Sequence, residues 1–160
     1  MRIVTMGVYG FEAGTFREAL ANAGIDLFVD TRRRRGVRGS QYAFANRRRL
    51  EALLREMEIP YLHRIDVAAP EAALKAQGAA DRAAGIARHD RDHLSDEFRE
   101  TYQHQVLDGF DAHAFVASLP GDPRAILLFC VEGNPAACHR SLLANRLAHD
   151  LGATVEHITP

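Results

Sequence analysis

Apolar positions along the chain change period several times, and the changes lay out alternating strands and helices. Residues 2–6 are a short β-branched, apolar run followed by Gly7 and Gly10, the pattern of a strand entering a tight turn. Thr15-Phe16-Arg17-Glu18 has the spacing of a capping box with Thr15 as the cap. It predicts a helix running to Ala23, where Gly24 supplies a left-handed stop. Residues 25–29 read as a buried second strand ending at Asp30. Strand, helix and strand in this order make a right-handed unit with parallel strands.

Residues 31–45 read as a loop containing Gly36 and Gly39. Asn46 stands where it can cap a helix over residues 47–57, in which Leu50, Leu53, Leu54 and Met57 form one apolar stripe. Pro60-Tyr61-Leu62-His63 predicts a third strand. Residues 68–91 are alanine-rich, weakly patterned and interrupted by Gly78 and Gly85, so helix in pieces is expected there. Ser95 is placed to cap a helix through Leu107, and residues 112–119 predict another short one. Residues 125–129 are a continuous apolar run, the mark of a central strand. Asn134-Pro135 opens a helix with proline at its first position. That helix is expected to reach Leu151, with Gly152 as its stop and a last strand over residues 153–158.

The order predicts the α/β class: a three-layer arrangement with an open, mainly parallel sheet and helices on both faces. With no repeat or flexible linker, residues 1–160 are expected to form a single domain. Ligands of such sheets bind outside the carboxyl ends of the strands. The loops after Met6, after Asp30, near His63 and after Phe129 therefore become the places to look for chemistry.

Composition narrows the setting. No apolar run approaches the roughly 18–20 residues that span a bilayer, so no membrane partner is expected. Residues 1–7 meet glycine and polar side chains too soon for a signal peptide, and two cysteines are too few for a disulfide scaffold. The expectation is a cytoplasmic protein. Net charge is −1, yet eight arginines and no acid lie between Thr31 and Arg49. That stretch carries +8 against −9 elsewhere, which points to a local anion site rather than a broadly basic surface. Arginine's planar fork suits phosphate or carboxylate, although the general scarcity of lysine (Lys75 alone) weakens any argument from the choice of arginine.

The densest chemistry is the run 130–140, Cys-Val-Glu-Gly-Asn-Pro-Ala-Ala-Cys-His-Arg. With Pro135 as the first helical residue, Cys138 falls at the end of the first turn, where the dipole and free N–H groups favour an anion or a thiolate. Cys130 at the strand end faces the same crevice, and a neighbouring histidine or arginine can lower a thiol's pKa. A packing reading stands beside this one, because cysteines often only fill buried space. Successive helical side chains diverge by about 100°, so Cys138, His139 and Arg140 do not all point into one pocket. A phosphatase loop requires an arginine six residues after its cysteine, and Ala136 holds that position. A zinc site from Cys130, Cys138, His139 and His63 lacks the usual C-x-x-C pair, and no metal is expected. No cofactor is indicated.

Taken together, the chain resembles the family known as domain of unknown function 488 (DUF488) over nearly its whole length. The resemblance rests on Thr5-Met6-Gly7, Asp30-Thr31-Arg32, Tyr61-Leu62-His63, and Cys130-x-Glu132 followed by Pro135-x-x-Cys138-His139-Arg140. It implies a three-layer α/β fold of uncharacterised activity. Arg64-Ile65-Asp66-Val67 stands where a Leu-Gly-Gly element often follows the histidine in that family. The run Arg32–Arg38 looks like a subgroup feature.

The leading expectation is an enzyme acting on an anionic, phosphate-bearing or nucleic-acid-related substrate. Cys130, Glu132, Cys138 and His139 are its candidate catalytic residues, and Asp30, Arg32, His63 and Arg140 its candidate substrate-binding residues. A nucleic-acid-binding module is the second reading, with arginines 32–49 on phosphates and Tyr42 and Phe44 stacking on bases. A thiol redox protein using Cys130 and Cys138 is the third. No exposed apolar stripe indicates an oligomeric state.

Overall fold

In the computed structural model, which describes residues 1–160, five strands form one fully parallel sheet. The strands are β1 (Arg2–Met6), β2 (Leu27–Asp30), β3 (Tyr61–His63), β4 (Ala125–Phe129) and β5 (Thr154–Ile158), in the spatial order β3-β2-β4-β1-β5. The helices are α1 (Ala13–Ala23), α2 (Arg47–Glu56), α3 (Glu71–Ala84), α4 (Asp96–Tyr102), α5 (Ala112–Ala117) and α6 (His139–Leu151). The expected three-layer α/β fold is the one observed.

The layering follows from the two-residue period of the strands. Ile3, Leu27, Val29, Ile126 and Leu128 face one side and pack against Phe98 and Tyr102 of α4, Phe115 of α5 and Leu143 and Leu147 of α6. Val4, Met6, Phe28, Leu127 and Phe129 face the other and meet Phe16 and Leu20 of α1 and Leu50 and Leu54 of α2. The expected stripe docks α2: Leu50 and Leu54, four apart, are fully buried, and Leu53 and Met57 pack against the same core partly buried. Leu50 and Leu54 each contribute roughly 1.5–3 kcal/mol by leaving water.

Several local expectations shift. α1 begins before the proposed cap: Glu12 is the N-cap and Thr15 the third helical residue, whose Oγ1 accepts a 3.0 Å bond from the Glu12 N–H. Asn46 precedes α2, but its Oδ1 accepts from the Val37 N–H at 2.8 Å and so ties the arginine loop down instead. Residues 71–84 form one continuous helix across Gly78, ended by Gly85 at φ 68°. The helix capped by Ser95 ends at Tyr102 and continues to Leu107 only as a wider π-helical turn. The largest difference lies at the candidate site. The helix expected from Asn134 is a single 3-10 turn (Pro135–Ala137), and the chain is then extended at Cys138, with φ −141° and ψ 140°. Cys138 is thus the N-cap of α6 and not part of a first turn.

Candidate functional site

Parallel strands bring all five carboxyl ends to one edge of the sheet. The register sets His63 beside Asp30, Asp30 and Met6 on either side of Phe129, and Ile158 beside Met6. The next residues along each chain then form the wall of the site.

After β2, Asp30 and Arg32 close on each other in the interior. Arg32 Nε donates to Asp30 Oδ1 at 2.8 Å and Nη2 to Oδ2 at 2.7 Å, with both side chains at most 1% exposed. The Arg32 N–H and the Tyr61 hydroxyl complete the carboxylate's shell at 3.1 and 2.9 Å. Arg32 Nη1 donates to the Ala45 carbonyl at 2.8 Å, and the guanidinium lies over the Phe129 ring, 4.7 Å from its centroid. Each nitrogen of the guanidinium and both oxygens of the carboxylate thereby have a partner within the protein. His63 Nε2 donates to the Arg32 carbonyl at 2.8 Å and fixes the loop from outside. Burial, with smaller contributions from Asp30, pushes the Tyr61 phenol up to about 12.

After β4, Cys130, Cys138 and His139 converge. His139 Nδ1 is 3.8 Å from Cys130 Sγ and 3.9 Å from Cys138 Sγ. His139 Nε2 lies 3.2 Å from the Thr31 carbonyl, which only accepts, so Nε2 carries the hydrogen and Nδ1 turns its lone pair to the sulfurs. The extended backbone at Cys138 makes this possible: it frees the Cys138 side chain from the helical spacing that separates neighbours by about 100°. The two thiols are free and buried. Hydrogen bonding to the Cys138 sulfur and then burial hold the Cys130 thiol well above its ordinary value. Burial also opposes ionisation of Cys138, but the Cys130 hydrogen bond and the Arg140 charge outweigh it and hold that thiol well below.

Arg140 points the other way along α6. Its Nη1 and Nη2 donate to the main-chain carbonyls of Glu132 and Gly133, and Nε is the one buried side-chain polar atom without a hydrogen-bond partner. The loop it holds is pressed against the turn after β1. A Cβ on Gly7 would sit 2.0 Å from the Glu132 carbonyl oxygen, and one on Gly133 2.6 Å from that of Tyr9. The N–H groups of Val8 and Tyr9 both donate to the Val131 carbonyl across this approach.

Glu132 links the thiols to a charged network. Its Oε2 accepts from Cys130 Sγ at 3.6 Å, while Oε1 accepts from Arg88 Nη2 at 2.7 Å and Arg91 Nη1 at 3.3 Å. Arg91 also grips Asp81 of α3 through Nε and Nη2, and Gln77 donates to the same carboxylate at 2.8 Å. Arg91 and Glu132 are each about nine-tenths buried.

These residues bound a cavity of about 840 Å³, large enough for a small organic molecule. Cys130, Cys138, His139 and Glu132 line it, as do Arg33, Arg34 and Arg38 from the loop and Lys75 and Arg82 from α3. Eight basic side chains face three acidic ones around it. Arg32, Arg88 and Arg91 are neutralised by acids, and Arg34 makes only a loose, exposed pair with Glu71 at 3.4 Å. Arg38, Lys75 and Arg82 form no ion pair, and Arg33 uses only Nε, on the Ala69 carbonyl.

The structure therefore brings the four candidate catalytic residues to one cavity, with Arg32 alone of the four candidate substrate-binding residues. Asp30, His63 and Arg140 do not line the cavity, and Arg32 reaches it with its guanidinium already bonded. The sequence reading passed over Arg88, Arg91, Asp81, Lys75 and Arg82. Nothing in a polar, alanine-rich stretch distinguishes an arginine that folds inward from one in solvent. Tyr42 and Phe44 are partly buried: Tyr42 meets Tyr9 edge-on with ring centroids 5.0 Å apart, and Phe44 packs on Phe16 at 4.9 Å. No helix is long and apolar enough to cross a membrane.

The family model described as "Domain of unknown function DUF488" matches residues 12–147 of the 160-residue chain. The protein belongs to that family. No curated protein and no solved structure matches the chain.

Proposed function

We propose that this member of the DUF488 family is an enzyme acting on a small anionic, phosphate-bearing substrate, held in the cavity above Cys130, Cys138 and His139. One observation carries the reading: cations without acidic partners ring the mouth of a cavity whose floor is two thiols and an imidazole. Arg33, Arg38, Lys75 and Arg82 bind the anion, with Arg34 at the rim. Cys130, Cys138 and His139 form the reacting centre, and Glu132 takes up the proton a thiol loses. Asp30, Arg32, His63 and Arg140 act as positioning residues, holding the two loops that carry these groups.

Titration calorimetry with pyrophosphate tests the binding half. Affinity is expected at low salt, declining as salt screens the cations. The triple variant Arg38→Ala, Lys75→Ala, Arg82→Ala loses about tenfold or more, since each cation need contribute only about 0.5 kcal/mol to reach that ratio. Absence of binding at low salt, or equal affinity in the variant, overturns the reading. A single-stranded oligonucleotide in the same assay addresses the nucleic-acid alternative. Thiol redox chemistry keeps one supporting observation, two sulfurs facing one imidazole, and requires a Cys130–Cys138 disulfide to form and be reduced reversibly.

A further inference from the structure

The cavity floor satisfies a stricter description than a thiol pair. One ligand atom from each of Cys130, Cys138 and His139 lies within 4.8 Å of the others, and all three residues are buried. With Zn–S bonds of about 2.3 Å and Zn–N bonds of about 2.0–2.1 Å, a ligating sulfur and nitrogen stand about 3.6 Å apart in tetrahedral geometry and about 3.8 Å in trigonal geometry. The observed separations are 3.8 and 3.9 Å.

A second observation is independent of these distances. The bond from His139 Nε2 to the Thr31 carbonyl is the arrangement that metal-ligating histidines adopt, fixing the tautomer and aiming the other nitrogen's lone pair at the ion. Space-filling by apolar cysteines accounts for burial but not for two sulfurs converging on one such lone pair.

We infer that Cys130, Cys138 and His139 bind a zinc-like divalent transition-metal ion, with its fourth position open to the cavity. The donor set selects the class, because two sulfurs and an imidazole favour zinc over magnesium or calcium. Three protein ligands and an open position are the pattern of reactive rather than purely structural zinc sites. The ion binds two thiolates, any thiol proton still held passing to solvent, and their charge balances its own, so the buried centre is neutral. His63, the fourth ligand weighed from sequence, is bonded to the Arg32 carbonyl and leaves that position vacant for water or an anionic group of the guest. The inference deepens the proposed function, since it says what the reacting centre contains.

The test is a cobalt(II) titration of chelator-treated, reduced protein. One equivalent is expected to bind with thiolate-to-cobalt charge transfer and intense tetrahedral-type visible bands, and zinc displaces it. Cys138→Ser and His139→Gln each weaken binding by more than about tenfold. Because either variant can misfold, the unmodified protein supplies a second readout: one equivalent of zinc protects both thiols from alkylation, and a chelator restores their reactivity. No charge-transfer band, together with alkylation rates unchanged by zinc, overturns the inference. Pyrophosphate binding to the metal-free protein keeps the two ideas apart. Anion binding without metal uptake sinks the metal centre alone, and metal uptake without anion binding sinks the substrate reading alone.

Discussion

Replacing Asp30 with alanine removes the only acid paired with a guanidinium that is about 1% exposed. Four donors lose their acceptor at once: the Arg32 N–H, Nε and Nη2, and the Tyr61 hydroxyl. Hydrogen bonds to charged groups contribute about 1.5–3 kcal/mol each, but the losses are not additive, because they share one carboxylate. Breaking a buried pair by removing one partner costs about 3–5 kcal/mol. Against a whole-domain stability of about 5–15 kcal/mol this is a large fraction. A chain of this size shifts its Tm by about 2–4 °C per kcal/mol, so a fall of about 6–20 °C is expected. The double variant Asp30→Asn, Arg32→Met removes both charges and recovers a substantial part of the loss, since a buried ion pair exchanged for neutral groups is often close to neutral. Urea unfolding followed by circular dichroism measures both, and pyrophosphate calorimetry on the double variant adds a functional readout. On the proposed function, in which the pair positions a loop and does not bind the anion, affinity in the folded double variant should stay within about threefold of wild type. A single variant destabilised by less than about 1 kcal/mol would mean that water relieves Arg32, and the account of a closed internal pair would be mistaken.

Other consequences follow from the same contacts. Gly7→Ala, with its Cβ placed 2.0 Å from the Glu132 carbonyl oxygen, forces backbone apart at the cavity wall and is expected to lower thermal stability and pyrophosphate affinity together; an unchanged melting curve contradicts this. Burial opposes ionisation of Asp81, but Arg91 and Gln77 outweigh it and hold the carboxyl below its ordinary value. Its contribution is therefore complete above the ordinary aspartate pKa of about 3.9 and is lost as pH falls through the depressed folded-state value. The stability gap between wild type and Asp81→Asn, measured by urea unfolding, should be wider at pH 6 than at pH 3, and a constant gap argues against the network. Glu132→Gln removes the anion between Arg88 and Arg91 while keeping its shape. Freed guanidiniums should then strengthen pyrophosphate binding by a few-fold, whereas weakened binding would show that the carboxylate itself is needed to shape the cavity.

The fold was legible because each strand and its following stop carry their own signal. Residues 125–129 are apolar without a break, and Gly24 and Gly152 end their helices at φ 55° and 62° as their positions foretold. The site was legible only as a set of residues. Cys130, Glu132, Cys138 and His139 meet in the cavity, but the route by which they do so was hidden. Asn134-Pro135 starts a helical turn as its chemistry dictates, and nothing local announces that the turn stops after three residues. The sequence also does not reveal the direction of Arg140. Its partners are main-chain carbonyls, which look the same behind every side chain.

Charge counted along the arginine-rich stretch does not say which of its side chains face the cavity. Its eight arginines share one sign but not one environment. Arg32 is drawn inside because Asp30, itself held by Tyr61, and the Ala45 carbonyl together offset the desolvation cost of its buried guanidinium. Arg35 and Arg47 turn to Glu51 on α2. Arg48 and Arg49 are exposed on α2, and Arg33, Arg34 and Arg38 face the cavity. The proposed anion would also meet Lys75 and Arg82, which line the cavity from α3 and lie far outside the basic stretch. Charge density along the chain therefore overstates the loop and leaves out the helix opposite it. Removing Lys75 and Arg82 should accordingly weaken pyrophosphate binding as much as removing Arg33 and Arg38. A site built from the loop alone would respond to the second pair and ignore the first.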